Sequence, residues 1–419
     1  MSEKTTCVVV GGGPAGMFAG LLLARGGVDV VVLEKHGDFL RDFRGDTVHP
    51  STLRLLDELG LYGRFAKLPQ SKLERVSLDM PGGKAAVADF TRLRVPHQHI
   101  AMVPQWDLLD MLAEAGREEP HFDLRMRHEV VGLLREESGK IAGVRYTGPE
   151  GQGELRADLT LVCDGRWSRC RQEAGLVARE FRIGTDIWWF RAPTAPGIGT
   201  ELLPRFKDGK FFGIIPREGY LQIARFIRKG ADAELRERGL ETFRRDIAEA
   251  IPELAGSVGE IKSLDEVKLL DMRVNRLPVW HVDGLLCIGD AAHAMSGLGG
   301  VGINIAVQDA VAAARILAKP LREGLLSRKD LAAVQRRRMF PAAATQAVQV
   351  FAHRRILDPI VAGGTTKSAP SWLLGLLSRF PWLSVLPARF VGMGVRPEHA
   401  PDFARRPQLA DSRADGVRG

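Results

Sequence analysis

The sequence predicts an α/β protein in which a parallel-sheet domain is interrupted by a mostly antiparallel β-sheet domain and followed by a helical C-terminal region. Three observations support this fold class. Strand and helix patterns alternate at the N-terminus, alternating apolar and polar residues fill much of the middle, and an apolar, proline-broken segment lies near the end. The predicted boundaries are 1–72, 101–180 and 270–365 for the first domain, 73–100 and 181–269 for the inserted domain, and 366–419 for the C-terminal region.

The N-terminal part has the pattern of one strand–helix–strand unit. A β-branched apolar run covers Thr6–Gly11, small and large apolar residues alternate at helical spacing over Pro14–Arg25, and a second apolar run covers Asp29–Glu34. A helix that joins two parallel strands in this way is the building block of a Rossmann-type domain.

The first turn of this unit, GGGPAG, has the glycine spacing of a dinucleotide site. Gly11 permits a tight turn, Gly13 lets a pyrophosphate approach the backbone, and Gly16 lets the helix pack closely on the strand. The phosphates then lie at the helix N-terminus, where free N–H groups and the helix dipole favour anions. The predicted nucleotide contacts here are Gly11, Gly13, Pro14, Ala15 and Gly16.

A carboxylate ends the second strand. Glu34 stands 23 residues after Gly11, where it can accept hydrogen bonds from both hydroxyl groups of a ribose. Because it would repel a 2′-phosphate, the nucleotide is predicted to be FAD or NAD rather than NADP. Lys35, the next residue, is a further predicted contact.

Later segments supply the remaining elements. Helices are predicted over Pro50–Leu61, Gln105–Ala113, Glu234–Ile251 and Ile303–Leu317. Strand-like alternation covers Leu73–Phe90 and a block from about Arg182 to Gly230, and we expect these two blocks to belong to the inserted, sheet-based domain.

The apolar segment Ser371–Val391 is interrupted by Pro381 and Pro387. It cannot form one membrane-spanning helix, because its unbroken apolar run is too short. A cover for the core, a contact between copies in a homodimer, and a peripheral contact with the inner membrane all remain open for it.

Composition and charge narrow the function classes. The chain has 419 residues, of which 45% are hydrophobic and 26% charged, and this is sufficient for a packed globular core. Its net charge of +8 suits an anionic cofactor or an acidic substrate, whereas the dispersal of the basic residues predicts no nucleic-acid binding. Four cysteines without C-x-x-C spacing predict a cytoplasmic setting with neither disulfides nor a metal site, and the early first strand leaves no room for a signal peptide.

Two more glycine segments follow predicted strands. CDGRWSRCR at Cys163–Arg171 follows a strand over Leu159–Cys163, and GDAAHAMSGLGGVGIN at Gly289–Asn304 leads into a helix. An Asp–Gly turn at a strand end can fix dinucleotide phosphates, and a glycine-rich loop lets the backbone lie against a flat ring.

These three segments, in this order, resemble the FAD-binding family of single-component aromatic monooxygenases, the group A flavin hydroxylases. That group includes para-hydroxybenzoate hydroxylase, ubiquinone-pathway hydroxylases and polyketide hydroxylases. The similarity covers roughly residues 5 to 320, and its most specific part is GDAAH followed by GGVGIN. It implies a cytoplasmic enzyme in which NAD(P)H transiently reduces FAD and O₂ forms a flavin C4a-hydroperoxide, which hydroxylates an aromatic, quinone-precursor or polyketide-like substrate.

The resemblance also implies individual roles. Asp164, Gly165, Ser168 and Arg171 match a motif associated with FAD and nicotinamide binding, and Asp290 of the pair Gly289–Asp290 would accept hydrogen bonds from the ribityl chain. Arg44 and Gln105 match further positions that contact FAD, although many relatives have Arg at the position of Gln105. The predicted flavin loop consists of Gly297, Gly299, Gly300, Val301, Gly302, Ile303 and Asn304, and no amino acid is assigned as catalytic, since the flavin carries the chemistry.

One residue departs from the family pattern. Many relatives have Pro where this chain has Gly297, so we expect a wider or more mobile pocket wall at this position. His293, in the same segment, is expected to be structural rather than a general base. His49, His97 and His99 are polar candidates that the sequence cannot place.

The substrate is expected between the flavin loop and the inserted sheet. Candidates for the pocket wall are Trp188, Trp189, Phe190, Phe211 and Phe212, of which strand alternation turns about half away from it. Two alternatives stay open: a flavin-dependent reductase of an isoprenoid lipid, similar to geranylgeranyl reductases, and a non-catalytic flavoprotein that binds a metabolite. A flavin halogenase is disfavoured, because the Trp188–Trp189 pair lacks the W-x-W-x-I-P spacing.

Overall fold

The computed structural model describes residues 3–40, 46–80, 83–198, 202–207, 209–363 and 379–407. Within these residues the predicted fold class is confirmed: a mainly parallel sheet forms the core, antiparallel sheets pack beside it, and the C-terminal region is helical. The predicted contact Arg44 lies outside the described residues, and the predicted domain boundaries stay a prediction.

The strands are β1 (Glu3–Val10), β2 (Val30–Glu34), β3 (Thr47–Val48), β4 (Ser71–Leu73), β5 (Arg75–Met80), β6 (Gly83–Asp89), β7 (Ile100–Met102), β8 (Phe122–Met126), β9 (Glu129–Arg135), β10 (Ile141–Gly148), β11 (Gly151–Val162), β12 (Arg179–Glu180), β13 (Thr185–Ala192), β14 (Leu203–Lys207), β15 (Lys210–Arg217), β16 (Tyr220–Arg228), β17 (Lys268–Leu270), β18 (Asn275–Arg276), β19 (His281–Val282) and β20 (Leu285–Cys287). The α-helices are α1 (Pro14–Arg25), α2 (Pro50–Glu58), α3 (Tyr62–Phe65), α4 (Gln105–Arg117), α5 (Arg169–Glu173), α6 (Asp232–Glu237), α7 (Leu240–Ala250), α8 (Val301–Arg322), α9 (Arg328–Ala352), α10 (Asp358–Val361) and α11 (Val385–Met393).

The largest sheet has the order β19-β20-β11-β1-β2-β8, and β9 and β10 extend it antiparallel to β11. Strands β20, β11, β1, β2 and β8 are parallel to their neighbours in that order. All five residues of β2 are buried, as expected for a parallel strand covered on both faces. The carboxyl ends of β1, β11 and β20 lie side by side, which is where ligands bind in such sheets.

The inserted sheet has the order β14-β15-β16-β13-β17 and is antiparallel throughout. One of its faces packs on α7. The single helix predicted over Glu234–Ile251 is wrong: α6 and α7 are separate, because Gly239 between them has a φ of +81° that a helix does not accommodate.

Two long helices support the parallel sheet. Helix α8 has 22 residues and is long and apolar enough to cross a membrane, but 78% of its apolar stretch is buried inside the protein, as in a core helix. Helix α9 has 25 residues, was not predicted, and continues into a π-helical turn at His353–Leu357.

The C-terminal segment returns to the core. Helix α11 packs against β6 and Phe90. The first eight residues of the predicted segment Ser371–Val391 lie outside the described residues, while Phe380, Trp382 and Leu386 are exposed. A membrane or dimer contact through this segment stays a prediction.

Candidate cofactor and active site

The three glycine segments meet at the carboxyl edge of the parallel sheet. A methyl group added at Gly11 would lie 2.7 Å from the carbonyl oxygen of Cys163, and one at Gly289 would lie 3.1 Å from Cβ of Ala15. The buried Arg171 guanidinium donates to the carbonyl oxygen of Ala291 at 3.2 Å. The first segment therefore contacts the second and the third, and the second and third contact each other.

The N-terminus of α1 is built for close approach. A Cβ at Gly16 would lie 1.9 Å from the carbonyl oxygen of Gly11, so the helix can reach the loop only with glycine there. A Cβ at Gly13 would meet no described atom within 4 Å, so the backbone is open at that point. No side chain in the described structure caps α1, and its first turn holds no acidic residue. This end of the helix can bind an anion.

Glu34 lies beside this loop. One carboxylate oxygen accepts the Gly12 N–H at 2.8 Å and the other accepts the His36 N–H at 3.0 Å, and the residue is buried. These bonds fix the carboxylate at the end of β2, in the position predicted for a ribose contact. Lys35 is exposed next to it.

The Asp–Gly turn after β11 starts a short helix. The Asp164 carboxylate accepts the Arg169 N–H at 3.1 Å, and the Ser168 hydroxyl accepts the Arg171 N–H at 3.0 Å, so both cap α5. Burial raises the pKa of Asp164 above its ordinary value. A Cβ at Gly165 would meet no described atom within 4 Å, which leaves this turn open.

Asp290 is the most accessible carboxylate among the predicted contacts. Its side chain is 32% exposed, and one oxygen lies 3.6 Å from the Arg166 guanidinium. Arg166 also donates to the carbonyl oxygen of Asp271 at 3.1 Å. The carboxylate is thus oriented from one side and keeps the capacity to accept hydroxyl groups on the other.

The predicted flavin loop leads directly into α8. Gly299 and Gly300 have φ values of +78° and +62°, and Gly300 is the N-cap of the helix. The Gly300 carbonyl oxygen accepts the Thr47 hydroxyl at 2.9 Å and contacts a ring nitrogen of His49 at 3.0 Å. No side chain in the described structure caps α8, so the N–H groups of Val301 and the residues after it remain available to an anion.

The Asn304 side chain is bonded through its oxygen. Its carbonyl oxygen accepts the hydroxyl groups of Ser51 at 2.6 Å and Thr52 at 2.9 Å, and the residue is buried. The side chain thus ties α8 to the start of α2, while its Nδ2 group has no hydrogen-bond partner among the described residues and keeps its capacity to donate.

The four candidate histidines have different surroundings. His49 is fully buried between the carbonyl oxygens of Gly300 and Val391 and therefore joins the flavin loop to α11. His97 stacks on Tyr62 at 3.8 Å and bonds to Asp57, and His99 lies edge-on to it. His97 and His99 thus belong to a cluster beside α2 and α3.

His293 is structural, as expected. Its Nε2 lies 2.5 Å from a carboxylate oxygen of Asp309, and the other oxygen of Asp309 accepts the Arg338 Nε–H at 2.9 Å. All three residues are buried. Burial raises the pKa of Asp309, but the neighbouring His293 and Arg338 lower it by more, so the pKa lies below its ordinary value. Asp309 also accepts the Gly289 N–H at 3.1 Å. The buried Asp309 carboxylate therefore holds the start of the third glycine segment.

The structure describes the surroundings of Gly297. A Cβ there would lie 3.3 Å from Ile187, 3.5 Å from Leu270 and 3.8 Å from Met272, so a side chain at this position would contact the inserted sheet and the residues that follow it. The wider or more mobile pocket wall expected here stays a prediction.

The alternation of β13 and β15 separates the predicted wall residues. Trp189 and Phe211 lie on the face that packs with Leu298 of the flavin loop. The assignment of the other three to the wall is wrong, because they lie on the opposite face against Phe243 of α7. These three are Trp188, Phe190 and Phe212.

Sequence reasoning missed a part-buried polar bridge between Asp46, which precedes β3, and the inserted sheet. The Arg217 guanidinium donates to Asp46 at 2.6 Å and to Gln222 at 2.7 Å. Asp46 also accepts the N–H of Gln105, the first residue of α4, and burial raises its pKa despite the opposing charge of Arg217. The partners are 171 residues apart, so the sequence carries no local signal for this bridge.

Comparison with known proteins identifies the cofactor. A family profile described as FAD binding domain matches residues 4–348. The chain is 33% identical over 356 residues to 6-methylpretetramide 4-monooxygenase from Streptomyces rimosus, an alignment that covers 84% of this chain and 85% of the relative. The chain belongs to the family of FAD-dependent aromatic and polyketide monooxygenases. The open turns at Gly13 and Gly165 and the uncapped starts of α1 and α8 fit FAD, which is therefore its cofactor.

Solved structures share the fold. The anhydrotetracycline hydroxylase OxyS from Streptomyces rimosus aligns with a TM-score of 0.76 and 23% identity over 96% of this chain and 78% of that one. The myxobacterial chondrochloren halogenase CndH aligns with a TM-score of 0.73 and 19% identity over 93% of this chain and 92% of that one. Because a hydroxylase and a halogenase both match, the fold by itself does not decide the reaction.

Proposed function

We propose that this flavoenzyme uses NAD(P)H and O₂ to hydroxylate an aromatic, polyketide-like substrate. The observation that supports this most directly is the juxtaposition of the uncapped start of α8 with an aromatic sheet face that carries Trp189 and Phe211. We expect a flat apolar substrate to bind between these two features. The similarity to an enzyme named 6-methylpretetramide 4-monooxygenase supports the same substrate class.

The chain's own residues bind and orient the reactants. Bound FAD would supply the redox chemistry, accepting a hydride from NAD(P)H and activating O₂ so that one oxygen atom enters the substrate and the other leaves as water. Glu34 and Asp290 would hold hydroxyl groups of the cofactor, and the start of α8 would favour negative charge on its ring. Leu298, Trp189 and Phe211 keep water away from the reacting atoms.

An exposed aromatic surface suits the nicotinamide nucleotide. Trp167 is 56% exposed, and the Arg273 guanidinium lies 4.1 Å from the centre of its ring. Trp167 follows Arg166, which contacts Asp290. We place the transient NAD(P)H contact here, since a stacking ring and positive charge together recognise a nucleotide.

Oxygen labelling tests the proposal. The FAD-loaded protein is incubated with NADH or NADPH under ¹⁸O₂, using a panel of phenols, quinones and polycyclic aromatic polyketides, with chloride and bromide present. We expect substrate-stimulated NAD(P)H consumption and one ¹⁸O atom in the product. A halogenated product, a saturated product without label, or flavin that neither nucleotide reduces across the panel would refute the hydroxylase assignment.

A further inference from the structure

Helix α9 presents two buried polar side chains to the flavin loop. Gln349 and His353 are four residues apart, so they lie on one face of the helix, and they are 4% and 0% exposed. His353 begins the π-helical turn that ends α9, a kind of local distortion that is frequent at functional sites. Neither residue belongs to the three glycine segments.

The Gln349 amide pairs with the loop backbone as a neighbouring strand would. Its oxygen accepts the Ser296 N–H at 3.1 Å, and its nitrogen donates to the carbonyl oxygens of Ser296 at 3.0 Å and Leu298 at 2.9 Å. These three bonds hold the loop on both sides of Gly297, and the adjacent Leu298 packs with residues of the inserted sheet.

His353 connects the same loop to the inserted sheet. Its Nδ1 lies 2.8 Å from the Thr185 hydroxyl, and its Nε2 lies 2.7 Å from the Ser296 hydroxyl. Thr185 is the first residue of β13 and is fully buried. The imidazole therefore bridges the strand that carries Trp189 and the loop that begins the flavin contact.

One arrangement of protons satisfies this whole chain. Thr185 donates to Nδ1, and the Nε2–H of His353 donates to the Ser296 oxygen, which also accepts the Leu298 N–H at 3.0 Å. The Ser296 hydroxyl hydrogen is then directed at the sulfur of Met272, 3.9 Å away. In this arrangement the ring is a neutral imidazole that carries its proton on Nε2.

We propose that His353 is a positioning residue that sets the register of strand β13 against the flavin loop, and thereby the gap between the substrate sheet and the isoalloxazine ring. Without the bridge, the loop would still be held by Gln349, but its contact with the sheet would rest on the apolar packing of Leu298. The inference goes beyond the proposed function, because it depends on FAD binding and not on oxygen transfer.

Iodide quenching of bound-FAD fluorescence tests the proposal in the holoenzyme, since potassium iodide reports how accessible the ring is. We expect His353→Ala to raise the quenching constant and the dissociation constant of FAD by about two- to tenfold, the range that corresponds to one buried hydrogen bond. His353→Gln retains a donor near the position of Nε2 and should recover most of both values. His281→Ala, which removes a buried imidazole from β19 away from the loop, is the matched control.

A double-mutant cycle separates positioning from general destabilisation. Because Thr185 acts through His353, the pair Thr185→Val and His353→Ala should raise quenching no more than His353→Ala alone. Quenching in His353→Ala equal to that of wild type or of His281→Ala would overturn the proposal. If His353→Ala does not fold, the variants Thr185→Val and Ser296→Ala test the proposal in its place. We expect increased quenching in both, and wild-type quenching in both would overturn the proposal. A negative quenching result would not affect the conclusion from ¹⁸O₂ labelling. A negative labelling result would likewise not affect the conclusion from quenching.

Discussion

Asp290 is the partly exposed carboxylate that we propose as a cofactor contact. Arg166 orients it from one side, and its partial exposure leaves room for the ribityl hydroxyl groups. We expect Asp290→Ala to weaken FAD binding by roughly 1.5 to 3 kcal/mol, because a charge-assisted hydrogen bond is lost. Titration of the apoprotein with FAD measures this.

The control for this change is Asp283→Ala, which removes an exposed carboxylate from the turn between β19 and β20. Its affinity for FAD should match that of the wild type. If Asp290→Ala binds FAD as tightly as Asp283→Ala, Asp290 does not contact the cofactor.

A second prediction at the residue scale concerns the exposed Trp167 and the binding of NAD(P)H. Stacking of a base on an aromatic ring contributes about 1 to 3 kcal/mol, so Trp167→Ala should raise the dissociation constant of NAD(P)H during flavin reduction by about five- to 150-fold. The FAD content should not change, and Trp167→Phe should preserve most of the affinity. Rapid-mixing measurements of flavin reduction over a range of NAD(P)H concentrations give the constant.

Trp382→Ala is the matched control for Trp167→Ala, because Trp382 is equally exposed, at 58%, in the C-terminal segment. An unchanged NAD(P)H constant in Trp167→Ala, or an equal change in Trp382→Ala, contradicts the placement of the nicotinamide nucleotide.

At the level of elements, the sequence predicts what is encoded locally. The β1–α1–β2 unit follows from its glycines and apolar runs, and α8 follows from the loop before it. Helix α9 was missed because Pro341 stands near its middle and its charged and apolar residues do not separate into clear faces. Its contribution to the site, through Gln349 and His353, depends on contacts more than 50 residues apart in sequence, for which no local pattern exists.

Gly300 gives the prediction for the flavin loop. Its φ of +62° is unfavourable for other residues, and a Cβ there would lie 2.5 Å from the Thr47 hydroxyl oxygen. Gly300→Ala should therefore lower the free energy of unfolding by about 1 to 3 kcal/mol and also shift the absorption spectrum of bound FAD. Denaturant unfolding and the flavin spectrum measure the two effects.

Gly239→Ala isolates the backbone part of this effect. Gly239 has a φ of +81°, but a Cβ there would meet no described atom within 4 Å, so only conformational strain is added. The change should be smaller than for Gly300→Ala, and the flavin spectrum should stay that of the wild type. A spectral shift of the same size in both variants would show that the Gly300–Thr47 contact does not shape the flavin site.

For the whole molecule, the buried histidines link the site to overall stability. Burial lowers the pKa of His49 to about 4, although the carbonyl oxygens of Gly300 and Val391 favour its charged form. Burial and the charge of Lys229 lower the pKa of His353 to about 4. Both rings join the flavin loop to other parts of the chain, so their protonation opposes the folded arrangement of the site.

Acid should therefore destabilise the protein in a defined range. A histidine in the unfolded chain takes up a proton near pH 6.5, whereas these two rings stay neutral in the folded state until about pH 4. Their contribution to the free energy of unfolding is therefore complete above about pH 6.5 and decreases as the pH falls below it. Each histidine should contribute a slope of about 1.4 kcal/mol per pH unit. Urea unfolding at pH values between 7.5 and 5, where most carboxylates are still ionised, measures this slope.

Substitution assigns the slope to individual rings. His49→Gln and His353→Gln should each reduce the slope of the unfolding free energy against pH by the contribution of one histidine, about 1.4 kcal/mol per pH unit. This reduction is expected whatever the stability of each variant at pH 7.5. If His49→Gln instead steepens the slope, its two carbonyl partners outweigh burial and the folded ring is charged. His49 would then bring a positive charge to Gly300, beside the start of α8, where it would add to the helix dipole in stabilising the reduced flavin.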